Sequence, residues 1–136
     1  MSLTVGFSVT HRRYVPYAHA HYGGNLVDGA YGLAMFGDVA TDLAIHTDGD
    51  ESLLAGYSSV EFLAPIQAGD VVEVTATVTR VGTRSRDLDF EARVLCRAAP
   101  SRGASAADVL SPPLVATRAK ATIVVPVAQV PSSAES

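Results

Sequence analysis

The sequence predicts an α+β domain in which an antiparallel sheet wraps around one long central helix. Three observations carry that prediction. One stretch, Leu26 to Ile45, has apolar residues at helical spacing and is apolar over most of its circumference. Four later stretches alternate with the period of two that marks strands. The chain has 136 residues, 48% of them hydrophobic and 18% charged, which fits one globular domain with one core. A helix that hydrophobic must be enclosed, and the strands are the only material available to enclose it.

In chain order, "LTVGFSVTHRRYV" reads as an opening strand of β-branched and aromatic residues. A polar, glycine-bearing segment follows, "HAHYGGNLVDGA", from His19 to Ala30. The helix is expected from Leu26 through Val27, Ala30, Leu33, Ala34, Phe36, Val39, Ala40, Leu43 and Ile45, and "HTDGDES" (His46 to Ser52) ends it with turn chemistry. The strands then read "LLAGYSSVEFLAP", "DVVEVTATVTRVG", "SRDLDFEARVLCR" and "LVATRAKATIVVPV". The second and third are joined by "VGTRS", short enough for an antiparallel hairpin. Arg97 to Pro113, rich in Ala, Ser, Gly and Pro, reads as a long excursion between strands. Residues 1–130 form the single expected domain, and 131–136 a frayed tail.

Composition narrows the function. A net charge of -4 without a basic, aromatic-interleaved run argues against nucleic acid as partner. The single cysteine, Cys96, lies in a strand pattern and reads as a buried structural thiol, so nothing indicates an oxidising compartment. Neither a signal peptide nor a membrane span is expected, and a cytoplasmic location follows. His19 and His21 lack a third ligand at a convincing spacing, and Asp48, Asp50 and Glu51 lack a calcium-loop pattern, so no metal is expected.

The polar segment raises the chemical question. A helix N-terminus presents unpaired N–H groups and a partial positive charge. Gly23 and Gly24 in front of it allow a ligand close to the backbone, and nearby imidazole and amide groups can move protons or orient an amine. The plainer alternative is that Asn25 caps the helix and the glycines merely turn the chain.

The motifs "AHYGGNLVDGA", "FGDVATDL", "DGDESLLAGY", "VEFLAPIQAGD" and "FEARV" occur in this order, and "SPPLVATRAKATI" follows the long excursion. Together they resemble the hotdog-fold β-aminoacyl-CoA ammonia-lyases, the 3-aminobutyryl-CoA and β-alanyl-CoA enzymes of amino-acid fermentation. The likeness runs from about Ala20 to Val94 with little need for gaps. It departs at His19, where the family carries an acidic residue, and at "HRRYVPY", so substrate identity transfers least well.

The resemblance implies a hotdog domain that pairs, with sites between subunits, as a homodimer or higher homo-oligomer. It implies reversible addition or removal of an amine at the β-carbon of an acyl thioester, with ammonia or a small amino acid such as glycine as the amine. The acyl group would be carried on coenzyme A or an acyl carrier protein, with no further cofactor. The thioester oxygen would rest on the helix N-terminus, where a developing enolate is stabilised.

His21 matches the motif histidine and is the first proton-transfer candidate. Glu61, flanked by Val60 and Phe62, and Asp38, mid-helix among apolar residues, are the carboxylate candidates. Tyr22, Gly24, Asn25, His19 and Tyr57 are expected to contact substrate. Arg86, Arg93 and Arg118, with Arg97, are expected near coenzyme or phosphopantetheine phosphates. A thioesterase, a hydratase and a non-catalytic acyl-thioester binding module are the rival readings on the same fold.

Overall fold

The structure is a computed structural model that describes residues 3–127; the tail expected at 131–136 lies outside the described residues. Its strands are β1 (Ser8–Tyr14), β2 (Leu53–Phe62), β3 (Val71–Val81), β4 (Ser85–Ala98) and β5 (Ala107–Val124), and its helix is α1 (Gly29–Asp48). The strands form one antiparallel sheet in the order β1-β3-β4-β5-β2. The helix lies along one face of it, as expected.

The period of each element explains the packing. Along α1, Gly32, Met35, Phe36, Val39, Ala40, Leu43, Ala44 and Thr47 are buried at spacings of three and four. They meet alternate residues of the sheet, among them Val72, Val74, Ala76 and Val78 on β3 and Leu88, Phe90, Ala92 and Val94 on β4. Phe36 and Phe90 stack with ring centroids 4.8 Å apart. The opposite face of the sheet is polar, with Glu73, Glu91, Arg93 and Arg118 joined in ion pairs across three strands.

Three boundaries differ from the sequence reading. The helix begins at Gly29 rather than Leu26, because Leu26 and Val27 are extended: Val27 donates to the Ile66 carbonyl at 3.0 Å. Its N-cap is Asp28, whose carboxylate accepts from the Tyr31 N–H at 3.0 Å. The helix also runs on through His46 to Asp48, where Gly49 closes it at φ 66° with its N–H on the Ile45 carbonyl. Most of the expected excursion is ladder, since β5 begins at Ala107 and pairs with the end of β4 through Cys96↔Val109, Arg97↔Asp108 and Ala98↔Ala107. Cys96 is half-buried with a free thiol, not fully buried.

The turn from Pro65 to Asp70 ties these elements together. Ala68 donates to the Asn25 carbonyl, Gly69 to Val15, and Val15 in return to Asp70. Gly69 takes φ +90°, and a Cβ there would stand 2.6 Å from the Tyr17 hydroxyl. The hydroxyl can swing away but the backbone strain remains. Gly69→Ala is therefore expected to destabilise the fold by about 1–3 kcal/mol, read as a lower midpoint in thermal denaturation.

Part of the helix and one sheet edge are uncovered in a single chain. Ala30, Ala34 and Ile45 are exposed on α1, and Leu53, Leu54, Phe62 and Leu63 are exposed along and just beyond β2, an edge strand. No helix among the described residues is long and apolar enough to cross a membrane.

Candidate active site

The start of α1 opens onto a cleft of about 440 Å³. Tyr22, Leu26, Val27, Asp28, Gly29 and Gly32 form one wall, and Phe62 to Ile66 with Thr117 the other. The first-turn N–H groups of Gly29 and Ala30 have no partner within the helix by its geometry. One oxygen of Asp28 takes the Tyr31 N–H, and the other has no hydrogen-bond partner among the described residues. The Phe62 ring lies over Gly29 so closely that a Cβ there would meet it at 2.8 Å.

The "HAHYGGN" segment forms two short 3-10 turns, Tyr17–His19 and Gly23–Asn25, with Tyr22 bridging back to Leu26. Gly24 and Asn25 both take left-handed backbone, at φ 72° and 61°. Asn25 does not cap the helix, and its backbone carbonyl instead holds Ala68. His21 is exposed beside the cleft, its ring edge-on to Tyr22 at 4.6 Å, and His19 tilts against Tyr31 at the same distance. A side chain on Gly23 or Gly24 would meet nothing within 4 Å, so this segment is open on its outer side.

The two carboxylate candidates stand elsewhere in the single chain. Asp38 is exposed and paired with Arg13 of β1 at 2.8 Å, so the burial expected for a mid-helix acid is absent. Glu61 points away from Val60 and Phe62, as its alternation requires. That places it on the outer face of the sheet, opposite Arg118, in a second cavity of about 400 Å³. His21, Asp38 and Glu61 therefore do not meet within one chain. Tyr57 lies on the inner face near Phe90, its hydroxyl buried without a hydrogen-bond partner among the described residues, and burial pushes its pKa up.

The arginines divide by environment. Arg86, expected near phosphates, is buried and donates to Asp48 at 2.8 and 3.2 Å and to the Gly82 and Ser85 carbonyls. It is a structural group. Burial pushes the Asp48 carboxyl up, but hydrogen bonds from Arg86 and Thr47 and the guanidinium charge outweigh it and hold it below the usual range. Arg97 is likewise committed, to Asp70. Arg93 and Arg118 lie on the outer face among acids: Arg93 and Arg12 hold the Glu73 carboxyl low, and Arg118 bonds Glu91.

These carboxyls set an acid limit. The pKa values of Asp48, Glu73 and Asp87 are lowered in the fold, so their contribution is complete above the unfolded values and is lost as pH falls through the folded ones. The thermal midpoint is expected to hold down to about pH 5 and to fall from about pH 4 downward. Glu73→Gln should flatten that fall.

Sequence reasoning missed Asp28, Phe62 and Thr117 as cleft residues. For Asp28 a signal existed, since Asp before Gly-Ala at the head of a helix is a preferred N-cap.

Comparison with known proteins agrees with this geometry. The family model described as "Thioesterase superfamily" matches residues 22–96. The chain is 52% identical over 107 residues to a 3-aminobutyryl-CoA ammonia lyase of Acetoanaerobium sticklandii, an alignment covering 79% of this chain and 85% of that protein. It superposes on the β-alanyl-CoA:ammonia lyase of Clostridium propionicum with TM-score 0.84 at 34% identity, covering 90% of this chain and 87% of the other. An acyl-CoA hydrolase mutant of Staphylococcus aureus shares the fold at TM-score 0.68 and 22% identity, over 86% of this chain and 64% of that one. By sequence and by structure, the chain belongs to the β-aminoacyl-CoA ammonia-lyases, within the thioesterase superfamily.

Proposed function

We propose that this protein is a carbon–nitrogen lyase that reversibly adds or removes an amine at the β-carbon of an acyl thioester, and that the reaction takes place in the cleft at the start of α1. Family membership supports the reaction class. The observation that supports the location is the meeting of three features on one cleft: an apolar wall, a helix first turn and the Asp28 carboxylate. The thioester carbonyl lies toward the first-turn N–H groups, which stabilise the enolate formed when the α-proton leaves. His21, at the rim, exchanges protons with solvent or substrate. The apolar wall of Leu26, Phe62 and Ile66 receives the short acyl chain.

Asp38 and Glu61 become acid/base groups of this reaction only if a second copy brings them to the cleft. The exposed β2 edge and the uncovered stripe of α1 support a homo-oligomer that does so. Arg93 and Arg118 remain candidates for the phosphates of coenzyme A or of a carrier-bound phosphopantetheine. Glycine, as well as ammonia, is a candidate amine, because the segment around His19 departs from the family pattern.

Incubation of the protein with crotonyl-CoA and ammonia, or with glycine, tests the reading by the mass of the thioester. A gain equal to the amine supports the lyase. Free coenzyme A would instead indicate a thioesterase, a gain of one water a hydratase, and no change a binding module.

A further inference from the structure

Thr117 is a cleft residue whose hydroxyl the fold leaves unused. It sits on β5 beside a bulge: Ala92 pairs with Thr117 and Arg93 with Val115, so Ala116 is the extra residue. Ala116 uses its carbonyl to hold the N–H groups of Leu63 and Ala64, which fixes this part of the wall. Thr117 itself faces inward and is only 3% exposed as a residue, and its hydroxyl, which makes no hydrogen bond among the described residues, keeps its access on the cleft side. Opposite it on the helix stands Gly32, where even a Cβ would remain 3.8 Å from the hydroxyl oxygen. Gly32 and Thr117 both line the cleft, so the helix presents no side chain to the hydroxyl at this position.

Valine has nearly the same shape as threonine and would suit a purely apolar wall, so the hydroxyl at this position marks a place where a polar group of a ligand can be met. The wall around it is apolar, with Leu26, Phe62, Leu63 and Ile66, so the protein supplies no answering group. The other polar side chains of the cleft are Tyr22, which is exposed, and Asp28, with one carboxylate oxygen unengaged. A carboxylate and a hydroxyl acceptor in one apolar cleft favour a cationic N–H donor beside them. Resting on the lyase reading above, we propose that Thr117 accepts a hydrogen bond from the β-amino nitrogen of the acyl group, with Asp28 supplying the opposing charge.

Two inert coenzyme A thioethers test this by calorimetry: S-(3-aminobutyl)-CoA, which carries the amine, and S-butyl-CoA, which does not. Neither can form an enolate, so binding is read without turnover. The wild-type protein should bind the amine-bearing compound more tightly. Thr117→Val should lower that preference about tenfold or more while S-butyl-CoA affinity stays within about threefold, and Thr117→Ser should keep most of it. The proposal is overturned if Thr117→Val keeps the preference, if it weakens both compounds equally, or if the wild type shows no preference for the amine. Thermal midpoints of both variants identify any loss that is merely misfolding, and Thr117→Ser then decides. Turnover of crotonyl-CoA with ammonia by the wild type is a separate readout. Turnover with an unchanged preference in Thr117→Val removes Thr117 and leaves the lyase reading. A Thr117-dependent preference without turnover does the reverse.

Discussion

Replacing Arg97 with alanine should lower stability by about 3–5 kcal/mol, a fall of roughly 10–20 °C in thermal midpoint, and should weaken thioester binding with it. The reason is Asp70, which is fully buried. Arg97 meets both of its oxygens, at 3.0 and 2.9 Å, and the Gln67 N–H takes one of them at 2.7 Å. Without the guanidinium, a carboxylate is left in the interior with one backbone donor, and the desolvation cost is no longer offset. The same guanidinium holds the Pro65 carbonyl at 2.8 Å, so the turn that carries Pro65 and Ile66 loses its anchor. Both residues line the cleft. Arg97→Lys should recover only part of the loss, because an ammonium cannot span two carboxylate oxygens and a carbonyl in one plane. A midpoint within a few degrees of wild type would show that the turn is held by its backbone bonds alone.

Arg86→Ala should cost a similar amount, about 3–5 kcal/mol, for the same physical reason at the far end of the helix. Arg86 and Asp48 are 6% and 10% exposed, too buried for solvent to rescue either charge. Asp48 is also the last residue of α1, where the helix carbonyls make a carboxylate unfavourable without a cation beside it. The sign of a double replacement separates this account from a coenzyme-binding role. Arg86→Met with Asp48→Leu removes both charges and fills the space, so it should regain most of the stability lost by either single change. Its KM for an acyl-CoA should equal that of the wild type. A coenzyme-binding arginine would leave the midpoint unchanged and raise KM.

These two buried arginines mark the line between what local sequence carries and what it lacks. Helical spacing and strand alternation are local, and they located α1, the four later strands and the β3–β4 hairpin. They also carried the side-chain phase of Glu61, opposite to Val60 and Phe62, but not which face of the sheet is covered. That depends on the pairing of Glu61 with Arg118, and of Arg118 in turn with Glu91, a long-range register. Leu26 and Val27 fit the helix pattern by hydropathy, yet Val27 bonds Ile66, distant in sequence and adjacent in space, and this contact delays the start of the helix to Gly29. The first residues of β5 read as loop because Ala, Ser and Pro carry little strand signal, and only the partner strand reveals them. Arg86 and Arg97 looked like surface cations because nothing local marks the acids, Asp48 and Asp70, that bury with them. The cleft was half legible: "HYGGNLVDG" marked its position, while Phe62 and Thr117 reach it only through sheet register.

A crystal structure with bound S-butyl-CoA tests the placement of the chemistry most directly. The acyl chain should lie between Leu26, Phe62 and Ile66, with the sulfur end toward the first turn of α1 at Gly29. An acyl chain found instead on the outer face of the sheet, between Glu61 and Arg118, would contradict it.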